Sequence, residues 1–169
     1  MKNEAEIRIV PLTTEHLSAV MKIERAVFRD AWTTTAFLEL LGFSDKCWAV
    51  FAGEELAGYL VTQWVLDEVH ILNLAVAPST QRRGVATQLM NFLLGLSRRR
   101  GMRDLFLEVR VSNLAAISLY EGLGFHELAV RPRYYPDGEN ARLMHLHLPD
   151  RAAGEPSRTN GHKTGELQG

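Results

Sequence analysis

Three features of this 169-residue sequence could carry chemistry. The first is a carboxylate, Glu108, in the run Leu105-Phe106-Leu107-Glu108-Val109-Arg110. On a strand, alternate residues share a face, so Phe106, Glu108 and Arg110 lie opposite Leu105, Leu107 and Val109. A carboxylate beside Phe106 is expected to be partly desolvated, a setting that suits a general base. An ion pair with Arg110 is the competing reading. The second feature is the phenol of Tyr120, seven residues after Asn113 and about two helical turns down the same face. It can donate a proton, or serve as a core aromatic with its hydroxyl at the rim. The third is the stretch Leu72-Asn73-Leu74-Ala75-Val76-Ala77-Pro78-Ser79-Thr80-Gln81-Arg82-Arg83-Gly84-Val85-Ala86. Here an apolar strand runs through a loop into a helix. Helix N-termini leave N–H groups unpaired and attract anions through the helix dipole. Gly84 and the small Ala86 let a phosphate approach the backbone, and Arg82 and Arg83 add positive charge. The segment reads as a pyrophosphate cradle or as an ordinary capped helix.

These groups need elements to hold them, and helix and strand patterns alternate along the chain. Ile7 to Val10 reads as a strand. Thr13 or Thr14 caps a helix with apolar Leu17, Val20, Met21, Val27 and Phe28. A second helix runs from about Thr33 to Leu41 and is stopped by Gly42. Strand-like runs follow at Lys46 to Ala52, Leu56 to Leu66 and Val69 to Val76, joined by turns short enough for antiparallel hairpins. Then come a helix over Gly84 to Arg100, a strand over Leu105 to Arg110, and a helix capped by Asn113 and closed by Gly124. Phe125 to Val130 and Ala141 to Leu148 complete the sheet. The order β-α-α-β-β-β-α-β-α-β-β predicts a mixed α/β domain with one strand-helix-strand crossover. The domain is expected over 1–148. From Pro149 to Gly169 the only large aliphatic residue is Leu167, which predicts a flexible polar tail over 149–169.

Composition excludes several classes. Nineteen Lys and Arg against twenty Asp and Glu give a net charge of -1, with no global attraction to nucleic acid or anionic lipid. A single cysteine, Cys47, in the apolar run Cys47 to Phe51, excludes a disulfide framework and reads as a buried thiol. No apolar run reaches the ~18 residues of a membrane span, and no signal-peptide region follows Lys2. A cytoplasmic protein is expected. The sequence contains neither a Gly-x-Gly-x-x-Gly fingerprint nor a P-loop, which argues against dinucleotide binding and nucleotide hydrolysis. His145 and His147 share a strand face, but with no third ligand in view no metal is expected.

Gln81-Arg82-Arg83-Gly84-Val85-Ala86 resembles the acyl-CoA signature of the GNAT acetyltransferases, Gln/Arg-x-x-Gly-x-Gly/Ala. Leu107-Glu108-Val109-Arg110, Asn113, Ala116 to Glu121 and Gly124-Phe125 narrow the likeness. With Val65 to Glu68 and Tyr134-Tyr135-Pro136, they resemble the ribosomal-protein-alanine N-acetyltransferases of the RimI type. Ala31-Trp32-Thr33 stands where that group often has Pro-Trp-Ser. The resemblance implies the GNAT fold, a mixed, mostly antiparallel sheet of about seven strands flanked by about four helices. It implies acetyl-CoA as co-substrate and transfer to the N-terminal alanine of the eighteenth small-subunit ribosomal protein, with no metal and no direct contact to nucleic acid or membrane.

The same resemblance assigns roles. Glu108 is the general base and Tyr120 the general acid. Main chain at Leu74, Ala75 and Val76 pairs with the pantetheine arm. Arg82, Arg83, Gly84, Val85, Ala86 and Thr87 hold the pyrophosphate, Gln81 belongs to the same cofactor site, and Asn113 touches the CoA. Trp32 and Tyr134 rim the inserted peptide terminus. The chemistry is undemanding. An α-amine of pKa ~7.7–8.0 is partly neutral near pH ~7, whereas a lysine of pKa ~10.4 is almost wholly protonated. A modest base therefore suffices for a protein N-terminus. A lysine side chain, a polyamine or another small amine is the alternative acceptor, and a non-catalytic acyl-CoA sensor is the alternative class.

Overall fold

Alternating apolar residues build a single seven-stranded sheet in the computed structural model, which describes residues 6–43 and 46–150. The expected tail therefore lies almost entirely outside the described residues. The elements are β1 (Ile7–Pro11), α1 (Leu17–Val27), α2 (Thr34–Phe43), β2 (Cys47–Ala52), β3 (Glu55–Val65) and β4 (Glu68–Val76). They continue with α3 (Val85–Arg99), β5 (Asp104–Arg110), α4 (Leu114–Gly122), β6 (His126–Arg131) and β7 (Ala141–His147). The strand order is β1-β2-β3-β4-β5-β7-β6, and every neighbouring pair is antiparallel except β4–β5. That parallel pair is the expected crossover, with α3 as its connection.

Helices cover both faces. Leu17, Val20, Met21 and Ile23 of α1 and Phe37 of α2 pack on Ala49, Tyr59, Val61 and Ala75. Leu89, Met90, Leu93 and Leu94 of α3 and Ile117 and Tyr120 of α4 pack on Val50, Leu60, Ile71, Leu105 and Leu107. Cys47 is buried in the first of these cores, as expected.

Two local expectations need correction. Gly42 does not stop α2, which runs through to Phe43. A helical glycine costs only ~1 kcal/mol against alanine, and Leu40 and Leu41 packing on the core beneath carry the helix past it. Thr33 caps this helix, its Oγ1 accepting from Ala36 N–H at 3.1 Å. At the front of α1, Thr13 opens not the helix itself but a 3-10 turn, Thr14–His16, that leads into it. Among the described residues no helix is long and apolar enough to cross a membrane.

β4 carries the irregularity that matters most. Its pairing with β3 steps from Val61↔Asn73 to Thr62↔Ile71, which leaves Leu72 as an extra residue. A bulge of this kind bends the strand and resets its alternation. Val69 and Ile71 face the α3–α4 core before it, and Leu74 and Val76 after it, while Ala75 turns to the α1–α2 core.

Candidate active site

The parallel pair comes apart at the bulge. β4 and β5 are in register only over Glu68–Ile71 and Asp104–Leu107. The next residue on β5 is Glu108, and the next on β4 is Leu72. Glu108 thus stands at the apex of a V-shaped split in the sheet. Beyond the apex β4 keeps β3 as a partner up to Val76, and its other edge is left without a strand. The main chain of Leu74, Ala75 and Val76 lines that edge, able to pair with an extended ligand as a strand would.

At the wide end of the split, β4 leads into the loop before α3. Gln81 reaches back, its Nε2 donating to Val76 O at 3.2 Å. Arg82 and Gly84 take left-handed conformations, with φ of 63° and 76°. Backbone turned in this way points successive N–H groups into one concavity. Gly84 is the N-cap of α3 and offers no side chain to the helix. The first ladder bond of α3 runs from Gln88 N–H to Gly84 O at 3.0 Å, and the N–H groups of Val85, Ala86 and Thr87 precede it. Arg82 and Arg83 are exposed beside them, whereas the Val85 side chain is buried in the core. These residues fit a diphosphate, held by backbone donors at a helix N-terminus and neutralised by two guanidinium groups.

Glu108 itself is half-buried, and its charge partner is Arg131 of β6, with Nε 3.4 Å from Oε1. The alternative pairing with Arg110 is not formed. Arg110 turns away to Asp30, Asp137 and Glu139.

Tyr120 lies near the end of α4, buried against Phe125 at 5.8 Å between ring centroids. Burial, with a smaller contribution from nearby Tyr135, pushes its phenol far above the ordinary value and keeps it protonated. Burial also pushes Tyr135 up to about 12, against the opposing pull of Arg110, whose guanidinium lies 4.0 Å from the ring centroid. Tyr134 is raised by burial first and then by the charge of Glu108, and packs edge-on to Tyr135 at 5.1 Å. Tyr135 thus adds to the rise at Tyr120, and Glu108 adds a small part to the rise at Tyr135. Of the Tyr134-Tyr135-Pro136 run that the sequence reading set at the rim, Tyr134 is exposed and Tyr135 half-buried.

The remaining candidates take structural partners as well. Asn113 caps α4, its Oδ1 accepting from Ala116 N–H at 3.2 Å. The Trp32 ring packs on Phe37 at 5.4 Å, and the Trp32 backbone N–H donates to Glu24 Oε1 at 2.8 Å. His145 and His147 do face the same way, onto a single Asp104 oxygen at 2.7 and 2.9 Å. Among the described residues no cluster of His, Cys, Asp and Glu could hold a metal ion.

The sequence and the fold both recur in known proteins. The chain matches the sequence profile of the acetyltransferase (GNAT) family over residues 17–125. It is 39% identical over 140 residues to the [ribosomal protein bS18]-alanine N-acetyltransferase of Salmonella typhimurium, covering 81% of this chain and 95% of that one. The crystal structure of the ribosomal-protein-S18-alanine N-acetyltransferase from Escherichia coli superposes with a TM-score of 0.82 at 36% identity, over 89% of this chain and 99% of that one. Ard1 from Thermoplasma volcanium superposes with a TM-score of 0.81 at 27% identity, over 85% and 99% of the two chains. Fold, signature loop and near full-length likeness agree, and the chain belongs to the GNAT family of acetyl-CoA-dependent N-acetyltransferases.

Proposed function

We propose that this chain acetylates the N-terminal α-amine of ribosomal protein bS18, at alanine, with Glu108 as general base and Tyr120 as general acid. Its likeness to a relative named for that reaction, over 95% of the relative's length, carries the choice of acceptor. The position of Glu108 at the apex of the β4–β5 split supports its role. Acetyl-CoA supplies a thioester, whose carbonyl carbon forms a bond to the amine nitrogen as its C–S bond breaks. Leu74 to Val76 align the pantetheine arm along the open edge of β4, where a backbone N–H polarises the carbonyl. Arg82 to Thr87 hold the diphosphate, with Gln81 in the same site, and Asn113 adds a contact to the CoA. Glu108 accepts the proton that the attacking amine must lose, directly or through one water. Tyr120, kept protonated by burial, donates to the departing thiolate. Trp32 and Tyr134 flank the entering terminus. A ribosomal acceptor places the reaction in the cytoplasm, and the acceptor presents a peptide end, so the enzyme makes no demand on RNA or membrane.

The test uses the purified chain, acetyl-CoA and two peptides, read by intact mass. One peptide carries the bS18 N-terminus with a free alanine, and its lysines replaced. The other has a blocked N-terminus and an internal lysine. Acetylation of the first alone is expected. Acetylation of the lysine peptide alone overturns the acceptor, and acetyl-CoA binding with both peptides untouched favours a small amine or a sensor.

A further inference from the structure

Arg110 ends β5 two residues beyond Glu108, and its guanidinium gathers three carboxylates from two distant parts of the chain. One nitrogen donates to Asp137 at 2.9 Å and to Glu139 at 2.7 Å, and the other donates to Asp30. The same group stacks on Tyr135, 4.0 Å from the ring centroid. Asp30 sits between α1 and α2, two residues before Trp32. Asp137 and Glu139 sit between β6 and β7, just after Tyr134 and Tyr135. Arg29 adds a longer contact to Asp137, at 3.9 Å.

The arrangement is built rather than incidental. Glu139 is fixed by Ser112 N–H at 2.9 Å, and Asp137 accepts from Glu139 N–H at 3.1 Å. Arg110 and Glu139 are each only 20% exposed at the side chain, so the cluster is screened less than an open surface pair. Three carboxylates around one guanidinium repel one another unless that cation is present. A lysine ammonium would have to serve all three partners from a single nitrogen, without the planar fork that spans them here.

We propose that Arg110 is a positioning residue that ties the α1–α2 segment carrying Trp32 to the β6–β7 segment carrying Tyr134, the two residues set beside the entering terminus, and so governs binding of the acceptor rather than of acetyl-CoA. The proposal rests on reading these two segments as the acceptor site. Asp30→Asn is the incisive variant, because it is isosteric, partly exposed and outside the catalytic groups. Steady-state kinetics would be measured for wild type, Asp30→Asn, Arg110→Gln and the double variant, with the alanine peptide and acetyl-CoA varied in turn.

Asp30→Asn is expected to raise the peptide KM about tenfold while the acetyl-CoA KM and kcat stay within about twofold. Arg110→Gln should raise the peptide KM further, and Asp30→Asn should add nothing in that background. An unchanged peptide KM in Asp30→Asn overturns the proposal. So does an equal rise in both KM values, which marks general loosening, or a full additional effect in the double variant. If wild type leaves the alanine peptide untouched, the acceptor reading fails and the proposal falls with it, an outcome distinct from the others.

Discussion

Glu108 becomes accessible to a substrate because its strand loses a neighbour one residue earlier. Up to Leu107, β5 is hydrogen-bonded to β4, and from Glu108 onward that side is open. Removing the carboxylate's basicity while keeping its shape isolates this role. Glu108→Gln is expected to lower kcat/KM for the alanine peptide about a hundredfold, with the acetyl-CoA KM unchanged. Release of CoA thiol, followed spectrophotometrically, measures it, and a loss below threefold would remove Glu108 from the chemistry. Tyr120 makes a prediction in pH. Burial raises its phenol above the ordinary value of ~10, so the acid form persists as pH climbs. kcat should therefore not fall between pH about 8 and about 10. A decline in that window that vanishes in Tyr120→Phe would mean a phenol titrating normally, contrary to its burial. The face that Glu108 occupies was legible in the sequence, because strand alternation has a period of two. Its partner was not. Arg131 arrives on β6 by way of β7, a long-range strand order that no local pattern encodes.

At the scale of elements, helices and strands were legible nearly throughout, but the bulge in β4 was not read. Its trace is in the sequence: Ile71 and Leu72 are adjacent apolar residues, and the alternation of Val69 and Ile71 resumes out of phase at Leu74 and Val76. The bulge turns Asn73 and Ala75 toward α1 and leaves the edge at 72–76 open. Gly58 of β3 presses that edge from the other side. A Cβ at Gly58 would meet Ala75 O at 2.5 Å, a contact with backbone that no rotamer relieves. Gly58→Ala should therefore push Ala75 and Val76 out of line, where the pantetheine arm is expected to pair. Overpacking of this kind costs ~1–3 kcal/mol, or roughly 5 °C in Tm for a domain of this size. The acetyl-CoA KM should rise about tenfold while the peptide KM changes little. An unchanged acetyl-CoA KM would mean that this edge does not bind the cofactor arm.

At the scale of the whole molecule, one buried carboxylate joins the α1 layer, the sheet and the Trp32 segment. Glu24 is fully buried and accepts from Tyr59 Oη on β3, from Asn73 Nδ2 on β4 at 3.0 Å, and from Trp32 N–H at 2.8 Å. Burial, and then the bond to Glu24, push the Tyr59 phenol far above its ordinary value, so it remains a donor. The position was readable: 24 lies three or four residues from Val20, Met21, Val27 and Phe28, squarely on the apolar stripe of α1. A glutamate there departs from the pattern, and only the later strands reveal what it binds. Deleting it leaves three donors without an acceptor, each costing ~1–3 kcal/mol when buried, and opens a cavity as well. Glu24→Ala should accordingly lower Tm by roughly 10 °C or more in a circular-dichroism melt. Glu24→Gln, which keeps one acceptor oxygen and the shape, should fall between that variant and wild type. A Glu24→Ala protein melting within about 2 °C of wild type would show that water replaces the carboxylate at no cost. The bulge at Leu72 and the Trp32 segment would then be held by packing alone. If the melt falls as expected, the glutamate that anchors Asn73 behind the open edge of β4 and the Trp32 segment between α1 and α2 sets both from within the core.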